Sequence, residues 1–211
     1  SELISDASTF KTRDVGFAID STDDWFRPVD IKDGPDGNLY VADWYDGQLA
    51  HTANYQGGMD RERGRIYRIR SKSKPIDSSR TVKPTVDAAL EALSQPNRWH
   101  RQTGLRLLAD RHDEKAIPGL EKLLKSDAQL GTVDALWALY LSGGLTETRI
   151  PELLDHADPQ VRLWTVRLLA DDGRLPDYAA TRVAQRSRSE PNLEVRCQYA
   201  ASAKRLPVEQ A

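Results

Sequence analysis

Apolar positions along this chain follow two different periods, and the change comes near residue 80. From Trp25 to Ile69 they form short runs rich in β-formers: Val29-Asp30-Ile31, then Leu39-Tyr40-Val41-Ala42-Asp43-Trp44, then Arg65-Ile66-Tyr67-Arg68-Ile69. The first two runs are separated by Gly34-Pro35-Asp36-Gly37-Asn38. Proline presets φ and glycine supplies positive φ at little cost, so a tight hairpin is predicted there. A single charge, Asp43, interrupts the run from Leu39 to Trp44, which predicts a strand covered on both faces. A three-stranded ribbon alone buries too little surface to persist. It has to rest on further sheets or on the helices that follow.

Beyond about Lys83 the spacing turns helical and repeats. Arg101-Gln102-Thr103-Gly104-Leu105-Arg106-Leu107-Leu108-Ala109-Asp110 returns as Arg162-Leu163-Trp164-Thr165-Val166-Arg167-Leu168-Leu169-Ala170-Asp171, and a further copy opens at Val195-Arg196-Cys197. Another apolar helix, Ala135-Leu136-Trp137-Ala138-Leu139-Tyr140, lies about halfway between the first two. Helical spacing also recurs in Ala88 to Leu93, in Ile117, Leu120, Leu123 and Leu124, and in Ile150, Leu153 and Leu154. Four units of about 30 to 34 residues, each a helix pair, are the pattern of an α-solenoid. Asp158-Pro159 is a helix start with an acceptor at the cap and proline in the first turn. Gly143-Gly144 and Gly173 mark helix ends.

Composition narrows the class. The chain has 211 residues, 39% hydrophobic and 29% charged, with a formal net charge of −2, which is ordinary for one or two globular domains. That balance argues against general nucleic-acid binding. No apolar run approaches the ~18 residues of a membrane span. The opening Ser1-Glu2-Leu3-Ile4 has no basic-apolar-small leader and reads as an internal cut, with any leader removed or upstream. The single Cys197 excludes an internal disulfide and a paired-cysteine metal or haem motif within these residues.

Two family resemblances follow from these motifs. Asp158-Pro159-Gln160-Val161-Arg162 followed by Ala170 resembles the second helix of HEAT repeats, over about Thr81 to Leu206; the copy at Val195-Arg196 departs from it, with Ser189-Glu190-Pro191-Asn192 in place of the Asp-Pro start. Phe26 to Asp30, Gly34 to Gly47, His51 and Asp60 to Ile69 resemble the closing blade of the large exported "membrane-bound dehydrogenase" proteins of planctomycetes and relatives. In that family a propeller similar to quinone-dependent sugar dehydrogenases precedes HEAT repeats and a c-type cytochrome domain. The resemblance therefore implies an exported, periplasmic-type location. It also implies pyrroloquinoline quinone and c-type haem in a full-length parent, with no cofactor held by this chain. It carries one residue toward the quinone, Arg27, three positions before Asp30; a planar guanidinium can hold a carboxylate through two hydrogen bonds. The spacing from Asp30 to Pro35-Asp36-Gly37 departs from the family pattern, and Arg27 pairing with a nearby carboxylate is the structural alternative.

Other residues invite chemistry. Asp43, Asp46 and His51 could form a polar site, as a metal site or as a base held by a carboxylate, yet no second His or Cys stands at ligand spacing. Asp33, Asp36 and Asp43 do not fit a calcium loop. The basic stretch from Asp60 to Arg80 holds one aromatic, Tyr67; it reads as a charge-protected edge strand running into a linker. Trp99, Trp137 and Trp164 are expected to pack between successive helix pairs. Cys197 is expected to be a small buried hydrophobe. Arg101, Arg162 and Arg196 are expected to bridge to carboxylates of neighbouring units.

The expectation is thus α+β in two segments: a β-propeller blade fragment over residues 1–74, a linker over 75–82 and an all-α HEAT-like solenoid over 83–211. One reading makes it part of an exported sugar or alcohol dehydrogenase-like oxidoreductase. The helices would serve as spacer or scaffold, the rest of the propeller and a cytochrome domain would be partners in the parent, and no complete active site would lie within this chain. The other makes it a non-catalytic interaction module, with the β segment as a cap and another protein on the solenoid surface.

Overall fold

The structure, a computed structural model, describes residues 1–6, 9–17, 19–47, 62–70, 72, 81–126 and 130–211. Five short strands precede eight helices among these residues, an α+β chain with a small antiparallel β segment followed by helices. Its contacts divide it into two units: residues 16–81 with 97–99, and residues 1–15 with 82–96 and 100–211. Residues 75–80 of the expected linker lie outside the described residues.

The first unit holds β3 (Pro28–Asp33), β4 (Leu39–Asp43) and β5 (Arg65–Ile69), paired antiparallel in that order. The hairpin turn is the expected one: Gly34 N donates to Asn38 O at 2.8 Å, and Gly37 sits at φ +69°, a region open to glycine at little cost. Asn97 belongs to this unit and donates from Nδ2 to Gly34 O at 2.9 Å, while its Oδ1 accepts from Trp99 N. The register places Ile31, Val41 and Tyr67 in one row and Asp33, Leu39 and Ile69 in the next on the same face. Of that face Val41 is buried, whereas Ile31, Leu39, Tyr67 and Ile69 are exposed. On the other face Ile66 is 75% exposed. The expectation that Leu39 to Trp44 is covered on both faces is therefore corrected. β4 is central in its sheet, but a single layer leaves Leu39 and Trp44 open to solvent.

In the second unit β1 (Glu2–Asp6) and β2 (Thr9–Arg13) form a hairpin that the periodicity does not announce. Its apolar residues Leu3, Ile4 and Phe10 are exposed. The helices are α1 (Val86–Leu93), α2 (Arg98–Arg111), α3 (Ile117–Leu124), α4 (Thr132–Leu141), α5 (Ile150–Leu154), α6 (Pro159–Leu169), α7 (Asp177–Ser189) and α8 (Leu193–Ala203). The second helices of successive pairs touch, α4 with α6 and α6 with α8, and α5 packs on α7. Their inner faces build two contiguous cores. One centres on Leu93, Leu108, Leu120, Leu136 and Leu139, the other on Leu154, Val166, Leu175 and Val195.

Starts and stops follow local chemistry. Thr85 Oγ1 accepts from Ala88 N, Asp158 Oδ1 from Gln160 N and Asn192 Oδ1 from Glu194 N. Each satisfies a donor that the first turn of a helix leaves free. Asp158 thus caps α6 as expected, with Pro159 opening the helix. Gly143, at φ +73°, follows the end of α4, the left-handed step by which helices commonly stop.

Candidate functional site

Of the residues singled out in the β segment, Arg27 and Asp43 meet at the end of β4. Asp43 is buried; its Oδ1 accepts from Arg27 N at 2.8 Å and Tyr45 N at 3.0 Å, while its Oδ2 is buried without a hydrogen bond. Trp44 N donates to Arg27 O at 2.9 Å, so the start of β3 and the end of β4 are tied from both sides. Tyr45 takes φ 55°, unusual for a bulky residue. Its ring is held between Trp25, 5.7 Å away, and the Arg65 guanidinium, 4.6 Å from the ring centroid. Cations over a tyrosine face are attracted by the ring quadrupole.

Arg27 is half-buried and its guanidinium folds back locally, Nη1 donating to Phe26 O at 2.9 Å. Its Nε is buried with no hydrogen-bond partner, and among the described residues no carboxylate forms an ion pair with it. Asp46 is buried three residues after Asp43. His51 lies outside the described residues. Among the described residues no group of three or more His, Cys, Asp or Glu side chains is placed to hold a metal ion.

Asp36, expected in the hairpin turn and not as part of a calcium loop, is a second polar centre. Its buried carboxylate accepts from Asn38 N and Nδ2 and from Tyr40 OH, with Arg68 Nη1 at 3.5 Å. The signal was present: an Asp just before Gly-Asn in a turn folds its side chain onto the backbone two residues on. Arg68 and Arg65 are thereby engaged within the segment, Arg65 Nη1 also donating to Tyr67 OH at 3.3 Å. Those two charges of the basic stretch belong to an edge strand, as expected.

On the helices two of the three repeated arginines take the expected form, Arg101 and Arg162, whereas Arg196 meets backbone carbonyls alone among the described residues. Arg101 Nε donates to Asp134 Oδ2 at 3.3 Å, and Arg162 grips Glu190 with Nε at 2.9 Å and Nη2 at 2.8 Å. Both carboxylates lie about one unit further along the chain. Nη1 of each arginine also reaches two carbonyls five and six residues earlier: Gln95 and Pro96, His156 and Ala157, and for Arg196, Glu190 and Pro191. The Arg162–Glu190 pair is buried, with side-chain exposures of 10% and 0%. Hydrogen bonding from Arg162 holds the Glu190 carboxyl below the usual carboxylate range against the opposing effect of burial. His156 bridges the same corner, its Nδ1 accepting from Asp158 N and its Nε2 lying 2.8 Å from Leu124 O, which makes Nε2 the protonated nitrogen.

Trp137 and Trp164 meet edge to face at 4.8 Å between centroids, joining α4 to α6 as packing residues. Trp99 is half-buried and groups with the β segment. Cys197 is exposed, not buried. α8 turns Val195 and Tyr199 inward, and Cys197, two residues from each, falls on the outer face of a helix whose period is 3.6.

A family model described as a domain of unknown function (DUF7133) matches residues 2–73. It covers the β segment and ends before α1. No curated protein and no solved structure matches the chain. No helix among the described residues is long and apolar enough to cross a membrane.

Proposed function

We propose that this chain belongs to an exported oxidoreductase resembling the quinone-dependent "membrane-bound dehydrogenases". Its β segment is a closing propeller blade, its helices are HEAT-like repeats serving as spacer or docking scaffold, and catalysis resides outside these residues. The observation that carries the reading is the uncovered sheet, whose Val29, Ile31, Leu39, Ile66, Tyr67 and Ile69 are exposed. Sheets bury an apolar face against another layer, and a blade among siblings has sheets on both sides. A cap folded completely onto other parts of the chain would leave no such face. The separate match of residues 2–73 to a family model agrees with a β segment that recurs as a unit.

Arg27 alone does not make a quinone site. With Nη1 turned to Phe26 O and Nε buried, it keeps one free corner for a carboxylate instead of a full fork, and no reaction step is assigned to it. Pyrroloquinoline quinone and haem belong, on this reading, to the parent protein, as do the remaining propeller and a cytochrome domain.

Two measurements test this. Pyrroloquinoline quinone with calcium leaves the melting temperature of the 211-residue chain unchanged, since a ligand that binds the native state must raise it; a saturable rise would overturn the claim that no complete site lies here. The encoded sequence upstream of Ser1 carries Gly-Pro-Asp-Gly hairpins repeating every ~40–50 residues, as blades do. Their absence would remove the enzyme reading in favour of an interaction module.

A further inference from the structure

The third and fourth helical units differ where they face their cores. Aligning Val161-Arg162 with Val195-Arg196 places Ala200 where Val166 stands and Ala203 where Leu169 stands; the first unit has Leu105 and Leu108 at these points. Val166, Leu169 and Leu108 are buried, while Ala203 is half-buried and Ala200 exposed. A cavity of about 330 Å³ lies between α6, α7 and α8, lined by Val166, Val183, Ala200, Ala203 and the terminal Ala211 among others. It opens to solvent, and its size enters the range of small-molecule pockets. A wall is fastened in place as well: Gln210 accepts from Leu175 N at 2.9 Å and donates to Leu175 O at 3.1 Å, pinning the turn after α8 beside the opening.

Charge selects the occupant. Arg188 lines the cavity from the last turn of α7, is exposed, and pairs with no carboxylate among the described residues. Arg101, Arg149, Arg162, Arg182 and Arg186, by contrast, each meet an acid of another helix or corner. An apolar hollow with one uncommitted cation at its edge complements an apolar body ending in one anion. We propose that this cavity is a binding site for a small monocarboxylic acid with an aliphatic or aromatic body, the body seated against Val166, Val183 and Ala203 and the carboxylate on Arg188. The site is independent of the oxidoreductase reading.

The test uses the 211-residue chain with sodium octanoate and 1-octanol as probes, read by calorimetric titration and thermal melting. Octanoate binds saturably with one site and raises the melting temperature; octanol binds at least ~10-fold more weakly, for want of the charge-assisted contact. Ala203→Leu restores the side chain of the sister units and fills the seat, weakening octanoate by ~10-fold or more in a protein that melts no lower than the parent. If that variant does not fold, Ala200→Val, which copies the third unit, serves the same purpose. Arg188→Gln brings octanoate down to the affinity of octanol. The proposal is overturned if octanoate does not saturate the unmodified chain, if the filled variant binds it undiminished, or if octanol binds equally well.

Discussion

The β segment and the helical stack invert each other's use of polar and apolar groups. In residues 16–81 the buried groups include Asp36, Asp43 and Asp46, while isoleucines and leucines of the strands face solvent. In the helices the interior is mainly leucine, valine and alanine, and among the described residues the buried charge is one matched pair, Arg162 with Glu190. The first arrangement holds its shape through carboxylates that gather backbone N–H groups around turns; the second holds it through contiguous apolar packing closed by arginines at the corners. A region organised from its turns, with apolar faces left over, is what the proposed blade reading requires.

The largest effect that can break this contrast is at Glu190. Glu190→Ala strands Arg162 in a buried site and costs about 3–5 kcal/mol, seen as a lower urea midpoint of the helical circular dichroism signal. Exposed pairs such as Lys125 with Glu152 contribute at most about 1 kcal/mol. The pH dependence carries the same signature. Because the folded carboxyl titrates below its unfolded value, its contribution is complete above the unfolded pKa and is lost as pH falls through the lower folded pKa. Glu190→Gln therefore flattens the acid limb of the stability profile, and an unchanged limb would show that the pair does not couple to folding.

A smaller loss, about 1–3 kcal/mol, is expected for Asp43→Ala, which leaves the N–H groups of Arg27 and Tyr45 without their acceptor. Amide exchange at those two positions should quicken ~10-fold or more while the helices keep their protection. Equal loosening of both regions would deny that the β segment is organised from its own turns. Smallest of all is the double change Ile31→Thr with Ile69→Thr on the open sheet face. Stability stays within about 0.5 kcal/mol per site, and binding of a hydrophobic dye falls. A substantial destabilisation would mean that these side chains are already covered.

Much of this was legible in the sequence because it rests on local chemistry. Gly34 to Asn38 announced its hairpin, Asp158-Pro159 its helix start, and the recurrence of Arg101 and Arg162 their bridges to a carboxylate of the next unit; that Arg101, Arg162 and Arg196 all grip two preceding carbonyls was not announced. What escaped depends on neighbours distant in sequence. Leu39 to Trp44 has the composition of a fully covered strand, and composition does not reveal that the covering layer lies elsewhere. Cys197 occupies the slot of Leu163 by alignment, yet Leu163 is only half-buried against its core, and the same slot in α8 is open to solvent. The β1–β2 hairpin went unseen because Leu3 and Ile4 are adjacent instead of alternating, which hides the two-residue period of a strand. For the candidate site, the sequence named Arg27, Asp43 and Asp46. That Asp43 serves Arg27 through its backbone N–H, not its guanidinium, is a matter of register that composition does not carry.

The arginines at the helix starts have one more consequence. Each bends back onto the two carbonyls of the corner just before its own helix, so the conformation of the corner is written into the same short stretch that it introduces. A unit copied within the gene would bring its bend along ready-made, and the array could lengthen or shorten without having to invent a new junction at every seam.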